Sequence, residues 1–224
     1  MRRFMDLHLA PRPGQGDAMV RRAGELGYAG VAVAGEAVKA AGGIEVCTRI
    51  DLEPRNQQQL MDQLNKHRRG FTVVSVTCTT KSVARQAAKD HRVDVIRYPS
   101  DYRRKTVRMD RQQAALTAES GCSYEVEAAE LMAQEPGGLE KTLKTLRREL
   151  ENALKYGVPV VLSSGASTVH GLRDPRGMAS LMHLLSVGEE EALDMVSANP
   201  WALVERNRDK LSGRTVLPGV AKVE

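Results

Sequence analysis

The chain has 224 residues, 42% of them hydrophobic, a length that fits one large domain or two small ones. Its mean hydropathy of −0.37, without an apolar run of about 18 residues, predicts no membrane span. The net charge of +5 weakly indicates an anionic partner, but only 4% of the residues are aromatic. We therefore expect any nucleic acid to be bound through its backbone and shape rather than by base stacking.

The cysteines and the first residues indicate a cytoplasmic protein. Cys47, Cys78 and Cys122 are far apart and form no paired-cysteine motif. This spacing is typical of reduced, buried thiols and not of a disulfide framework or a zinc site. Asp6 and His8 lie where a secretion signal would have its apolar core, so secretion is not expected.

Seven short apolar runs predict seven strands. They are residues 4–9, 28–34, 44–52, 71–78, 93–98, 123–127 and 158–162. Apolar residues at helical spacing follow most of these strands. The spacing is clearest over residues 139–156, where Leu143, Leu146 and Leu150 are predicted core residues. The lysines and arginines of this segment are predicted to form a solvated face. Residues 101–119 are ambiguous, since they could form a basic helix followed by another.

Strands that alternate with helices about every two dozen residues predict parallel βαβ units. Seven such strands favour a barrel somewhat over an open sheet. The pattern alone leaves both architectures open.

The loop after the seventh predicted strand is a candidate ligand site, because such loops lie at the carboxyl ends of parallel strands. Asp174 can cap the next helix and Pro175 suits its first position. Arg173 and Arg176 flank that helix start, which indicates an anion-binding place. The alternative is a tight turn with two solvated arginines.

The last part of the chain is predicted to be helical. Ser186 and Glu189 have the spacing of a capping box, and Asn199-Pro200 starts the final predicted helix. Residues 1–211 are therefore predicted to form one domain, and residues 212–224 a loosely structured tail.

Three runs in this part carry a family resemblance. SSGAS, LRDPRGMASLMHLL and EEEALDMVSANPWALVERN follow one another in the order of the archaeal ribonuclease P protein component 3 family, which is homologous to the eukaryotic 30-kDa ribonuclease P subunit. The resemblance implies an α/β fold, a seven-stranded TIM-like barrel with surrounding helices, similar to the polymerase-and-histidinol-phosphatase phosphoesterases.

The resemblance also implies a function. Proteins of this family are subunits of ribonuclease P, whose catalytic RNA uses magnesium to remove the 5′ leader from precursor tRNA. The subunit itself would bind no cofactor and catalyse nothing. Its expected partners are the ribonuclease P RNA, a smaller protein subunit with two copies of each, and the other ribonuclease P proteins, with precursor tRNA as the substrate of the complex.

Asp6 and His8 form the most enzyme-like element of the sequence. The related phosphoesterases carry an Asp-x-His-x-His metal motif, but Ala10 stands here in place of the second histidine. Only His170 is expected to point to the same end of the barrel as His8. We interpret Asp6 and His8 as a remnant that forms a hydrogen-bonded pair, and keep a metal-dependent phosphoesterase acting alone as the alternative.

Basic residues are the candidate RNA-binding groups, because a guanidinium can donate two hydrogen bonds to a phosphate. They are predicted to line one end of the barrel: Arg97, Arg103, Arg104, Lys105, Arg108, Arg173 and Arg176. The alternative for the segment after the fifth strand is a solvated helix with Asp101 and Asp110 as counter-charges.

Overall fold

The computed structural model describes residues 2–38, 43–99, 107–212, 215–217 and 220–221. Its main sheet is parallel and has seven strands in sequence order. The strands are β1 Phe4–Leu9, β2 Tyr28–Ala34, β3 Glu45–Leu52, β4 Val73–Thr77, β5 Val95–Arg97, β6 Ser123–Glu127 and β7 Val160–Ser163. The strands lie within a few residues of those predicted from the sequence.

Helices follow most of the strands and cover the outside of the sheet. They are α1 Gly16–Glu25, α2 Gln57–His67, α3 Lys81–Ala87, α4 Arg111–Ser120, α5 Ala128–Met132, α6 Pro136–Lys155, α7 Pro175–Ser180, α8 Glu189–Asp194 and α9 Ala198–Leu211. In the tail, β8 Thr215–Leu217 pairs with β9 Val220–Ala221 in antiparallel fashion. None of the described helices combines the length and hydrophobicity that a membrane crossing requires.

The sheet curls until β1 meets β7. At the carboxyl ends, Leu9 forms a bridge with Ala166. At the amino ends a short connection between α8 and α9 fills the gap: the Met5 N–H donates to the Val196 carbonyl at 2.9 Å, and the Leu162 N–H donates to the Met195 carbonyl at 3.0 Å. Met195 and Val196 thus take the place of an eighth strand. The predicted seven-stranded TIM-like barrel with surrounding helices is confirmed.

Helix α9 closes the amino-terminal end of the barrel. Trp201, Leu203 and Val204 of α9 pack into an interior apolar cluster with residues of the strands, among them Met5. The fit is close, because a Cβ on Gly30 would lie 2.9 Å from two atoms of the Trp201 ring. A glycine is therefore required at position 30 for α9 to seat against β2.

Helix α6 has the buried face that the leucine spacing predicted. Leu146 and Leu150 are buried in the main core, and Leu143 is partly buried against it. Leu139, which continues the leucine repeat, is 38% exposed. The leucines of α6 therefore pack against the core from Leu143 onward.

Two helix starts differ from prediction. Ser186 is not part of a capping box: its φ of +65° is left-handed, and α8 begins after Gly188 with no side-chain cap. The final helix starts at Ala198, slightly before the predicted Asn199-Pro200. In the ambiguous region, α4 is a helix capped by Asp110, which accepts from the Gln113 N–H at 2.8 Å, and residues 101–106 lie outside the described residues.

Candidate functional site

A bulge in β1 points His8 into the barrel. Asp6 pairs with Val31 and Leu9 with Val33, so three steps along β1 face two along β2. The extra residue breaks the strict alternation of side chains, as β-bulges do near the ends of barrel strands. The imidazole of His8 consequently lies inside the barrel at the carboxyl ends of the strands, the end at which barrel enzymes hold substrates.

Arg49 of β3 is the centre of the barrel interior. Its guanidinium binds Glu125 of β6 through both Nη atoms, with Nη1 2.7 Å from Oε1 and Nη2 2.6 Å from Oε2. Nε and Nη2 also donate to Oδ1 of Asp51, and Nη1 donates to the carbonyl of Leu7. These contacts use all five guanidinium N–H donors. Burial alone would lower the pKa of Arg49, but the charges of Glu125 and Asp51 outweigh it and raise that pKa.

His8 joins two carboxylates that lie on either side of the ring. Its Nδ1 is 2.6 Å from Oε1 of Glu127, and its Nε2 is 3.2 Å from Oδ2 of Asp51. Burial and the Arg49 guanidinium work to lower the pKa of His8, but the hydrogen bonds and charges of the two carboxylates raise it to about 9. His8 is therefore an imidazolium at neutral pH and donates through both nitrogens.

Arg97 completes what we call the interior charge network, made of His8, Arg49, Asp51, Arg97, Glu125 and Glu127. The Arg97 Nη1 lies 2.6 Å from Oε1 of Glu127, and its Nε donates to the hydroxyl of Thr77. The pKa of Glu127 is lowered: burial raises it, but the His8 hydrogen bond and the charges of His8 and Arg97 prevail. The network thus has three cations and three carboxylates, and Arg97 also lies 3.6 Å from Glu130 and 3.8 Å from Glu53.

The network does not suit a divalent metal ion. Among the described residues, His8, Glu125 and Glu127 offer possible ligand atoms within 4.8 Å of one another. However, both oxygens of Glu125 accept from Arg49, and Oε1 of Glu127 accepts from Arg97 and faces the imidazolium of His8. A metal-bound histidine needs a free ring nitrogen, and both nitrogens of His8 already face carboxylates of the protein. Side-chain cations neutralise these carboxylates, as metal ions would do in a metal site.

Asp6 and His8 are hydrogen-bonded to each other, as interpreted from the sequence, but the donor is the backbone N–H of His8 and not its imidazole. Oδ1 of Asp6 accepts the backbone N–H groups of Ser164 at 3.0 Å and of His8 at 3.1 Å. Burial raises the pKa of Asp6, although these N–H groups oppose the shift. His170 is exposed in its loop and is not a partner of His8. Asp6 instead fixes the β7 loop against β1.

The structure separates the predicted RNA-binding residues. Arg97 belongs to the interior charge network, whereas Arg108, Arg173 and Arg176 are exposed. The Arg176 guanidinium lies 5.7 Å from the ring of Phe4, which begins β1, so Arg97 and Arg176 do not share one end of the barrel as predicted. The remaining candidates lie outside the described residues: Arg103, Arg104 and Lys105.

The predicted start of α7 is confirmed in detail. Asp174 caps the helix by accepting the Gly177 N–H at 2.8 Å, and Pro175 is its first residue. Arg173 donates from Nη1 to the carbonyls of His170 and Leu172, each at 2.8 Å. Part of the Arg173 guanidinium therefore shapes its own loop.

Sequence reasoning missed four members of the network, although the strands carry a signal for them. Arg49 and Asp51 stand two residues apart in β3, and Glu125 and Glu127 two apart in β6. Alternate residues of a strand face the same side, so charged pairs at this spacing point together into the barrel or out of it. In otherwise apolar strands such pairs predict an internal ion-pair network.

Comparison with known proteins identifies the family. The family described as RNase P subunit p30 matches residues 3–212. The chain belongs to the RNase P subunit p30 family. Membership makes this p30-family chain a component of ribonuclease P, the enzyme that processes the 5′ ends of tRNA, and it confirms the predicted family and function.

Relatives in sequence agree with this family, and solved structures share the fold. Ribonuclease P protein component 3 of Methanosarcina mazei is 29% identical to the p30-family chain over 192 residues, 82% of this chain and 80% of that protein. A chain in a cryo-EM structure of archaeal ribonuclease P with mature tRNA has a TM-score of 0.82 at 18% identity, and the alignment covers 98% of this chain and 97% of that one. A Xaa-Pro dipeptidase has a TM-score of 0.59 at 12% identity over 92% of this chain and 76% of its own, a likeness of fold alone.

Proposed function

We propose that this chain is a non-catalytic subunit of an archaeal ribonuclease P, in which RNA with magnesium ions removes the 5′ leader from precursor tRNA. The observation that carries the proposal is the closed interior charge network. Arg49 directs all its donors, and His8 both ring nitrogens, to acceptors of the protein itself. A catalytic acid or base has to reach its substrate, and a metal ligand its metal, but these groups already bond to other residues of the barrel.

The chain would support the RNA by supplying fixed positive charge. Phosphates that meet arginine or lysine side chains need fewer magnesium ions to compensate their repulsion. Exposed Arg108, Arg173 and Arg176 are proposed RNA contacts, together with the basic segment that contains Arg103, Arg104 and Lys105. The proposed complex also contains a smaller protein subunit, with two copies of each, and the other ribonuclease P proteins.

Reconstitution tests this function. Ribonuclease P RNA and the other protein subunits are assembled with and without this chain, and 5′-leader release from precursor tRNA is measured over a magnesium series. We expect the chain to shift the magnesium requirement downward. A matched assembly that contains the chain with both Arg173→Ala and Arg176→Ala should require more magnesium than wild type. An unchanged magnesium curve with and without the chain would contradict the proposal.

The second candidate function is a metal-dependent phosphoesterase that acts alone, favoured by the proximity of His8, Glu125 and Glu127. Manganese titration by calorimetry separates the two functions, with His8→Ala as the matched control. We expect no stoichiometric binding tighter than about 10 µM, since the ligands are already held by cations. Tight binding that His8→Ala abolishes, or turnover of a generic phosphoester without RNA, would establish the phosphoesterase instead.

A further inference from the structure

Another buried carboxylate lies at the opposite, amino-terminal end of the barrel. Asp94 immediately precedes β5 and is fully buried. Its Oδ2 accepts the Val74 N–H at 2.8 Å and Nη1 of Arg68 at 2.7 Å. Arg68 lies in the short turn between α2 and β4, and its side chain is only 13% exposed.

Helix α9 brings two more cations to the same carboxylate. Nη2 of Arg206 ends 3.9 Å from Oδ1 of Asp94, too far for a hydrogen bond, while its Nη1 donates to the carbonyl of Gly121. Lys210 follows one helical turn later on the same face and is exposed. Among the described residues, these three cations therefore share one carboxylate, and we call Arg68, Arg206 and Lys210 the amino-end basic cluster.

The charges of this cluster are unbalanced. Burial and then the neighbouring Arg206 lower the pKa of Lys210, with Asp94 opposing them. Burial raises the pKa of Asp94 in spite of the surrounding cations. Among the described residues, three cations around one carboxylate leave an excess of two positive charges. A further anion would relieve this repulsion.

We propose that Arg206 and Lys210, with Arg68 behind them, bind a phosphate of the RNA backbone at the amino-terminal end of the barrel. The inference rests on the proposed function, which makes RNA the partner. Exposure falls from Lys210 through Arg206, whose side chain is 35% exposed, to Arg68. A phosphate would thus contact Lys210 and Arg206 directly, and the charge of Arg68 would attract it from behind them. Guanidinium and ammonium groups supply the positive charge and the N–H donors that phosphate oxygens accept.

Lys210→Gln is the decisive variant, because the Lys210 ammonium makes no hydrogen bond to the described residues that folding would need. Its matched control is Lys81→Gln. Lys81 is an exposed lysine at the start of α3, at the carboxyl-terminal end of the barrel. Dissociation constants for a ribonuclease P RNA transcript are measured over a salt series. We expect Lys210→Gln to weaken binding about fivefold near 0.15 M salt and to reduce the salt slope by about one unit, with Lys81→Gln unchanged.

Arg206→Gln provides a second measurement, and its melting temperature reports any loss of the Asp94 contact. RNA affinity and salt slope at wild-type values in Lys210→Gln would overturn the site. The proposed function would then still stand, provided that the wild type binds the RNA. A wild type without salt-dependent RNA binding would overturn both. Normal RNA affinity combined with poor assembly with the protein subunits would assign the cluster to an acidic protein segment, and the RNA site would be wrong.

Discussion

At the residue scale, Arg49 shows how a fully buried charge is stabilised. Removing a guanidinium from water costs several kcal/mol, and only complete hydrogen bonding with close counter-charges offsets that cost. The bidentate contact with Glu125 and the contact with Asp51 provide both. The same contacts make Arg49 hard to replace, because its removal leaves two carboxylates without their main cation.

Arg49→Met is expected to lower the free energy of unfolding by about 3–5 kcal/mol, since breaking a buried pair strands the partner charge. Urea unfolding at pH 7 measures this. Arg22→Met on the surface of α1 is the control and should change stability by less than about 0.5 kcal/mol. The double variant Arg49→Met with Glu125→Gln should recover part of the loss. Equal stability of Arg49→Met and wild type would refute the role of the network.

His8 is expected to make stability depend on alkaline pH. Its pKa is about 9 in the folded chain and ordinarily about 6.5 when unfolded. A raised folded pKa contributes stability that is fully present below about pH 6.5 and is lost as the pH rises through 9, in total about 3 kcal/mol. Urea midpoints between pH 6 and pH 10 should fall for the wild type. The fall should be smaller in His8→Gln, and parallel curves for the two proteins would disprove the assignment.

At the element scale, local sequence patterns predicted the strands and helices whose apolar spacing follows directly from burial. The strands were predictable because both faces of a parallel sheet are covered, which requires apolar, β-branched runs. The capping box failed because the turn before it uses Ser186. Ser186 adopts a left-handed conformation in which its N–H donates to the His183 carbonyl, so it ends the preceding turn and does not cap the next helix.

Helix α6 gives a graded test of burial. Leu146→Ala should cost about 2–5 kcal/mol, because it removes buried methyl groups and leaves a cavity under the helix. Leu139→Ala is the same change on the same helix at a position that is 38% exposed, and it should cost much less. Thermal and urea unfolding of both variants measure the difference. Equal losses would mean that the two leucines are equally buried in solution.

At the scale of the whole molecule, the candidate site was only partly predictable. Asp6 and His8 attracted attention through a short motif, whereas the network depends on contacts such as Arg49–Glu125, which join residues 76 positions apart. Such a contact exists only after the sheet has curled into a barrel. The sequence of β1 carries no signal for the bulge that turns His8 inward. The sequence of α7 likewise does not indicate the end of the barrel at which Arg176 lies.

Truncation tests the proposed domain of residues 1–211. A chain that ends at residue 211 should melt within a few degrees of the full chain, because the barrel and α9 are intact. A chain that ends at residue 194 should not fold cooperatively, since it lacks the segment that joins β1 to β7 and the helix that closes the amino end. Circular dichroism melts compare the two. Cooperative melting of the shorter chain would show that α9 and residues 195–196 are dispensable.

The use of Met195 and Val196 in place of an eighth strand has a consequence for synthesis on the ribosome. The Met5 N–H in β1 is synthesised long before the Val196 carbonyl that accepts it, because most of the barrel lies between them in the sequence. Until then, the nascent chain carries a parallel sheet with two open edges, which are sites for pairing with other chains. The wait is longest for β1, so this strand is where a chaperone or a cotranslational partner would be most useful.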